Sequence, residues 1–396
     1  PDKAEGGLRL HAAEPALARL ESGHAAIVPG NPTDSELLKR ISSTEEEGRM
    51  PPEGAALTAA EQQILRDWIA QGAVWKQHWS FEPLNRPAVP AVAGKDPGVS
   101  HPIDAFIDAR LQQKGLSRSP RADSHVLLRR LYHDLIGLPP TPQQISSFLQ
   151  RAATDFDTAW TQEIDSLLAS PQYGEKWARH WLDLVRYGES DGYKADDYRP
   201  HAWRYRDYVV KSLNADKPYD RFLTEQLAGD ELYFSSKPEA QTPEHLIATG
   251  YFRAGIYEYN NRDVRGQWQR ILEDITDTSA DVFLGVGLQC ARCHDHKFDP
   301  LLQKDYYRFQ AFFAPLLPRE DLVVATPTEK AAYAEKLAKW ETATAELRAE
   351  LDKLLAQARK SAEASAFEKF IEDLRVDLRT PVAERTPYQH QVAELA

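Results

Sequence analysis

The chain has 396 residues and a formal net charge of −12 at pH 7. A length of that order exceeds one ordinary core and implies two or three domains. The acidic balance disfavours a nucleic-acid partner, whose phosphates need Lys and Arg, and no uncharged apolar run is long enough to span a membrane. Two cysteines are too few for a disulfide scaffold, and both lie in one short motif, so the pair has a local task.

The start, Pro1-Asp2-Lys3-Ala4-Glu5, is polar and is not a signal peptide. The only methionine is Met50, so the chain reads as a processed or excised piece of a longer protein. Residues 1–80 read as a small helical unit. Within it Thr58-Ala59-Ala60-Glu61 is a capping box, Leu57, Ile64, Leu65, Trp68 and Ile69 form an apolar stripe, and Gly72 is a natural stop. Residues 81–101, with Pro83, Pro87, Pro90 and Pro97, read as an extended Pro-rich linker.

Residues 102–315 are helical by pattern, and alternating strand patterns are scarce, so the fold class is mainly α. Ile103, Phe106, Ile107 and Leu111 have helical spacing, as do Val126, Leu127, Leu131 and Leu135. Gly137-Leu138-Pro139-Pro140-Thr141-Pro142 is a break, with Thr141 capping the next helix. Further helices run through Trp177 to Val185, Trp203 to Leu213 and Phe222 to Leu227. In 328–377, Tyr333, Leu337, Trp340, Thr344, Leu347, Leu351, Leu354 and Ala358 step by four and three, a heptad seam. It suits either one arm of a helical hairpin or an intermolecular coiled coil. Residues 378–396 read as the start of a further, truncated region.

The chemistry sits in Gln289-Cys290-Ala291-Arg292-Cys293-His294, which contains C-x-x-C-H. Two cysteines three apart share one face of a helical turn and can add to the two vinyl groups on one edge of a porphyrin. His294 then follows as the proximal ligand of a c-type haem iron. The alternatives are a redox dithiol and half of a zinc site completed from His294, His296 and Asp295 or Asp299. His296 suits a propionate contact or plain surface, because it follows His294 too closely to cross to the distal face. His180, in Trp177-Ala178-Arg179-His180-Trp181, is a candidate distal ligand, beside an open sixth position. Phe298, Tyr306, Tyr307, Phe309, Phe312 and Phe313 are candidates for a pocket wall or for ordinary helix core. Met50, in Arg49-Met50-Pro51-Pro52 ahead of an amphipathic helix, has the setting of a thioether ligand to a first haem whose attachment cysteines are missing.

Two regions resemble the planctomycete-type cytochrome c proteins. The first comprises Gly6-Gly7-Leu8-Arg9-Leu10, Ile27-Val28-Pro29-Gly30, Arg49-Met50-Pro51-Pro52-Glu53-Gly54 and the Trp68 helix, and resembles the end of that family's N-terminal cytochrome c domain. The second runs from about His101 to Phe313 and resembles the family's following domain of unknown function. It carries Asp134-Leu135-Ile136-Gly137-Leu138-Pro139-Pro140-Thr141-Pro142, Tyr173-Gly174-Glu175-Lys176-Trp177-Ala178-Arg179-His180-Trp181-Leu182-Asp183, Glu225-Gln226-Leu227-Ala228-Gly229-Asp230 and Cys290-Ala291-Arg292-Cys293-His294-Asp295-His296-Lys297-Phe298-Asp299-Pro300. The resemblance implies a truncated cytochrome c-like remnant at 1–80, a helical haem domain at 102–315, one haem c in this chain and a second in the full-length protein.

Three functions follow as expectations. The first is an extracytoplasmic (periplasmic or cell-surface) cytochrome passing electrons to a redox partner protein. The second is a haem-bearing part of an oxidoreductase acting on carbohydrate or a similar polymer, with Glu189, Asp191, Asp196, Asp197, Trp203, Asp230 and Glu231 as cleft candidates. The third is a surface scaffold or binding module with a structural haem.

Overall fold

Four threonines that stand three residues ahead of Glu or Gln each begin a helix. In the computed structural model Thr58 caps α3 (Ala59–Ala70), Thr141 caps α6 (Pro142–Thr154), Thr326 caps α14 (Pro327–Phe367) and Thr386 caps α16 (Pro387–Glu394), each as a complete capping box. At Thr141 the Gln144 N–H donates to Oγ1 at 3.3 Å and Gln144 Oε1 accepts from the Thr141 N–H at 2.7 Å. Two orphan donors of the first turn are thereby satisfied. Thr141→Ala is expected to lower stability by about 1 kcal/mol, read as a shifted denaturation midpoint; no shift would mean that α6 does not depend on its cap.

The structure describes residues 8, 10, 13–45, 48–75, 79–91, 101–192, 196–237, 241–257, 263–319 and 322–396. The opening Pro1–Gly7, Arg9 and the linker residues 92–100 lie outside them. The other helices are α1 (Ala13–Leu17), α2 (Glu36–Ile41), α4 (Pro102–Gln113), α5 (Ser124–Leu135), α7 (Phe156–Leu168), α8 (Pro171–Leu184), α9 (Trp203–Asn214), α10 (Tyr219–Ser235), α11 (Pro243–Ala248), α12 (Val264–Ser279), α13 (Gln303–Phe313) and α15 (Glu372–Arg379). The fold is mainly α, as the sequence predicts; among the described residues β structure is limited to two isolated bridges.

The chain divides into two compact units, Pro1–Ser119 and Pro120–Ala396. In the first, Ala16, Ile27, Leu37, Leu38, Ile41, Ile69 and Ala73 form the core, with Met50, Leu57, Leu65, Trp68 and Trp75 packed against it. Gly72, at φ 99°, ends α3 in a backbone region that disfavours a side chain. Beyond a short 3₁₀ turn at Trp79–Phe81, residues 82–91 carry no regular structure. The α4 helix belongs to this unit, where Arg118 folds back onto Asp104 and Asp108.

The second unit is an all-helical assembly around a series of cores. Leu128, Tyr132, Phe148, Ala159 and Leu167 join α5, α6 and α7. Ala178, Val185, Tyr205, Tyr208, Val209, Phe222, Ala248 and Tyr251 join α8 through α11. Trp268, Ile271, Leu272 and Ile275 of α12 pack with Phe313 and with Phe370, Leu374, Val392 and Leu395 from the C-terminal stretch. Gln391 secures that stretch by donating from Nε2 to the carbonyls of Ala314 at 2.7 Å and Leu316 at 2.6 Å. The remaining small core, Ala280, Leu288, Ala291 and Tyr306, lies directly under the cysteine motif.

Candidate haem-attachment site

The motif forms a short 3₁₀ turn, Gln289–Arg292, which Cys293 ends. In a 3₁₀ helix residues three apart eclipse each other. Leu288 and Ala291 are such a pair, and both are buried on Ala280 and Tyr306. Cys290 and Cys293 are the other such pair, and both are exposed, free thiols. One local period therefore anchors the turn with two apolar side chains and presents two sulfurs outward. The sequence anticipates a shared face; the tighter 3₁₀ winding supplies it.

Neighbouring elements hold the turn. The Arg292 carbonyl accepts from Gln303 Nε2 at 3.2 Å and from Tyr307 Oη at 3.0 Å, both on α13. The Arg292 guanidinium pairs with Glu273 of α12 at 2.7 Å. Asp295 Oδ1 accepts the Gln303 N–H at 2.9 Å and so caps the start of α13.

His294 is exposed, and its Nδ1 lies 2.8 Å from the Asp295 carbonyl oxygen. A carbonyl only accepts, so Nδ1 carries the proton and the neutral ring keeps its lone pair on Nε2. Imidazoles that ligate metals are oriented by this kind of bond. His296 serves its own loop instead: Nδ1 accepts the Asp299 N–H at 2.9 Å. The Asp299 carboxylate at 3.3 Å faces that same nitrogen; with the lone pair already engaged by a backbone donor, the contact is not an ion pair of a neutral ring. Among the described residues no group of three or more His, Cys, Asp or Glu converges as a metal cage. Two free thiols and an oriented imidazole within five residues fit the attachment chemistry of a c-type haem.

The aromatic candidates divide. Tyr306 and Phe313 are core, Phe309 packs beside them, and Phe298, Tyr307 and Phe312 are exposed. His180 is exposed on α8, with Nε2 3.0 Å from Lys176 Nζ and its ring 5.4 Å from that of Trp177, both on its own helix. Met50 lies in the other unit, partly buried against the apolar core around Ile27 and Ile69. Of the cleft candidates, Asp191 is buried and bonded to Arg199 at 2.6 Å, and Glu189 pairs with Arg206 at 3.0 Å.

A cavity of about 570 Å³ opens beside the motif, lined by Asp183, Leu184, Arg186, Asp274, Asp277, Thr278, Asp281, Val282 and Gln289. Its wall includes a π turn, Ala280–Leu284, and Arg186 at φ 60°, a strained backbone for a residue with a side chain. Arg186 is ion-paired to Asp274. Gly255 makes room for that pair, since a Cβ there would stand 2.3 Å from Asp274 Oδ2. Burial pushes the Asp277 carboxyl up from its ordinary value, with Tyr306 and Arg292 opposing. The α12 acids are the functional candidates that sequence reasoning missed. Their signal was present: Asp274 and Asp277 of α12 and Asp281 of the π turn that continues it recur at helical spacing.

With the motif turn stands a second finding: residues 1–54 match the family model described as Planctomycete cytochrome C (PSCyt1). The protein is a cytochrome-like haem protein. Residues 102–317, more than half of the chain, match the model described as PSCyt2, Protein of unknown function (DUF1549), and the chain belongs to that family. No curated protein and no solved structure matches it.

Proposed function

We propose that this chain is an extracytoplasmic c-type cytochrome that carries one haem on Cys290 and Cys293, with His294 as proximal ligand, and exchanges single electrons with a protein partner. The observation that carries the reading is the outward presentation of both thiols beside an imidazole whose free lone pair is on Nε2. In attachment each S–H adds across a vinyl C=C, so that a thioether forms and the proton goes to carbon. When bound, the haem supplies a one-electron iron couple. The chain's own residues do the rest: Asp295 fixes the His294 tautomer, and Gln303 and Tyr307 pin the Arg292 carbonyl so that the turn keeps its pitch. Covalent haem is normally installed outside the cytoplasm, which supports the placement. A net charge of −12 favours a basic redox partner whose association weakens as salt rises.

The test is a denatured-protein mass and a pyridine haemochrome spectrum after export in a host with the attachment machinery. One added haem and a c-type band are expected in the parent, and neither in Cys290→Ala/Cys293→Ala. His294→Ala should keep the thioethers and change the axial-ligand spectrum. Two alkylatable thiols and no haem, while a control cytochrome loads, would overturn the proposal. His180→Ala in the loaded protein tests the sixth position through the same spectrum.

The cavity beside Gln289 favours a second reading, in which the haem serves oxidation of a polyhydroxylated substrate such as a carbohydrate. Carboxylates, a guanidinium and an amide around about 570 Å³ are groups that hold hydroxyls. Haem reduction by a member of a glycan panel, lost in Asp281→Asn, would support it. No reduction by any of them would leave plain electron transfer.

A further inference from the structure

The α14 helix spans 41 residues and none of them is buried. Its seam is nevertheless apolar, with Tyr333, Trp340, Leu347, Leu351 and Leu354 between 49% and 74% exposed. A helix held in water along its whole length does not need such a stripe. Its charges are balanced as well: Glu329 to Glu363 carries seven acidic and seven basic residues in a chain of net charge −12. Two such helices do not repel each other as two copies of the rest of the chain would.

We propose that α14 is a dimerisation helix that pairs antiparallel with α14 of a second copy of this chain. The seam has two kinds of position. Leu337, Thr344, Leu351 and Ala358 fill one, and Tyr333, Trp340, Leu347 and Leu354 fill the other. In an antiparallel pair each position of the first kind faces one of the second. One register uses all eight: Ala358 faces Tyr333, Leu351 faces Trp340, Thr344 faces Leu347 and Leu337 faces Leu354. The smallest side chains thus lie against large ones, the condition for filling a seam without voids. A parallel pair would stack Trp340 on Trp340 and Ala358 on Ala358, crowding one layer and emptying another.

The flanking charges select the same register. It sets Glu341 of each copy beside Arg348 of the other, twice by symmetry. Sliding by one heptad in one direction brings Glu341 onto Glu341 while it sets Lys336 of each copy beside Glu350 of the other. Sliding in the other brings Arg348 onto Arg348 and Glu350 onto Glu350. Only the first register pairs opposite charges without bringing like charges together, a difference of the kind by which coiled coils fix alignment. The area suffices: four aromatic side chains of about 150 Å² each, with the leucines beside them, approach the ~1,200 Å² of a small stable interface.

The test is the mass of the full chain in solution by sedimentation equilibrium at micromolar concentration. A dimer is expected, whatever the haem content. Arg348→Glu should weaken it about tenfold, by placing two Glu pairs face to face. Adding Glu341→Arg should restore it. Lys336→Glu, at a position that meets Gln357 in this register but Glu341 in a parallel dimer, should change nothing. A single-chain mass at tens of micromolar with helical circular dichroism intact would overturn the proposal. So would a dimer indifferent to Leu347→Glu, or one weakened by Lys336→Glu and not by Arg348→Glu.

Discussion

Replacing Glu225 by leucine is expected to cost the fold about 3–5 kcal/mol, the usual loss when one member of a buried ion cluster is removed. Glu225 is almost wholly buried on α10. One carboxylate oxygen accepts from Arg221 Nε at 2.8 Å, and the other accepts from Tyr208 Oη at 2.9 Å and from Lys217 Nζ. Leucine fills similar volume and leaves the mostly buried Lys217 ammonium with only the face of the Tyr208 ring, 4.5 Å away. Chemical denaturation followed by circular dichroism reads the loss, and a change under 1 kcal/mol would mean that the cluster is decoration. The sign of the pH dependence is fixed too. Burial is the largest single influence on the Glu225 carboxyl and pushes it up, but Lys217, Arg221 and Tyr208 together hold it below its ordinary value. Its stabilisation is therefore complete above the unfolded carboxylate pKa of about 4.3 and is lost as pH falls through the lower folded value. The Glu225→Leu chain should lack that acid-side decline.

Gly229→Ala should destabilise by about 3 kcal/mol, the upper end for forcing atoms into a packed contact. A Cβ at Gly229 would stand 2.1 Å from the His245 carbonyl oxygen and 3.2 Å from Thr249 Cγ2. The first of these is backbone, so α10 and α11 must separate. Gly174 has the same role where α8 meets α9, since its Cβ would lie 2.6 Å from the Val210 carbonyl oxygen. Gly287→Ala is the control: nothing stands within 4 Å of its Cβ, and a shift within about 0.5 kcal/mol is expected. Equal thermal midpoints for the Gly229 and Gly287 variants would defeat the packing argument.

These two residues also show what the sequence reveals and what it hides. Thr58, Thr141 and Thr326 start helices by contacts to residues three along, and the heptad seam of α14 is likewise local; both are legible in the chain. So are the two thiols and His294, because one turn of backbone sets their arrangement. Asp191 reads as a cleft acid, yet it is buried against Arg199 and lies 3.4 Å from Arg253. Arg186 meets Asp274 only because separate helices bring them together, and no spacing rule announces that. The string Glu225-Gln226-Leu227-Ala228-Gly229-Asp230 carried the family resemblance, and its first purpose is architectural. Glu225 gathers charges, Gln226 Oε1 accepts from Tyr205 Oη at 2.6 Å and Trp181 Nε1 at 3.1 Å, and Gly229 admits α11.

Ala280, Leu288, Ala291 and Tyr306 close the space under the thiols with protein atoms alone. A lineage that exchanged both cysteines for serine would keep this corner of the molecule intact, since neither thiol is part of the packing. On the proposed attachment, the haem hangs from two side chains that this core does not use. A related chain with the same helices and no cysteines would be a sign of changed chemistry, and not of a broken fold.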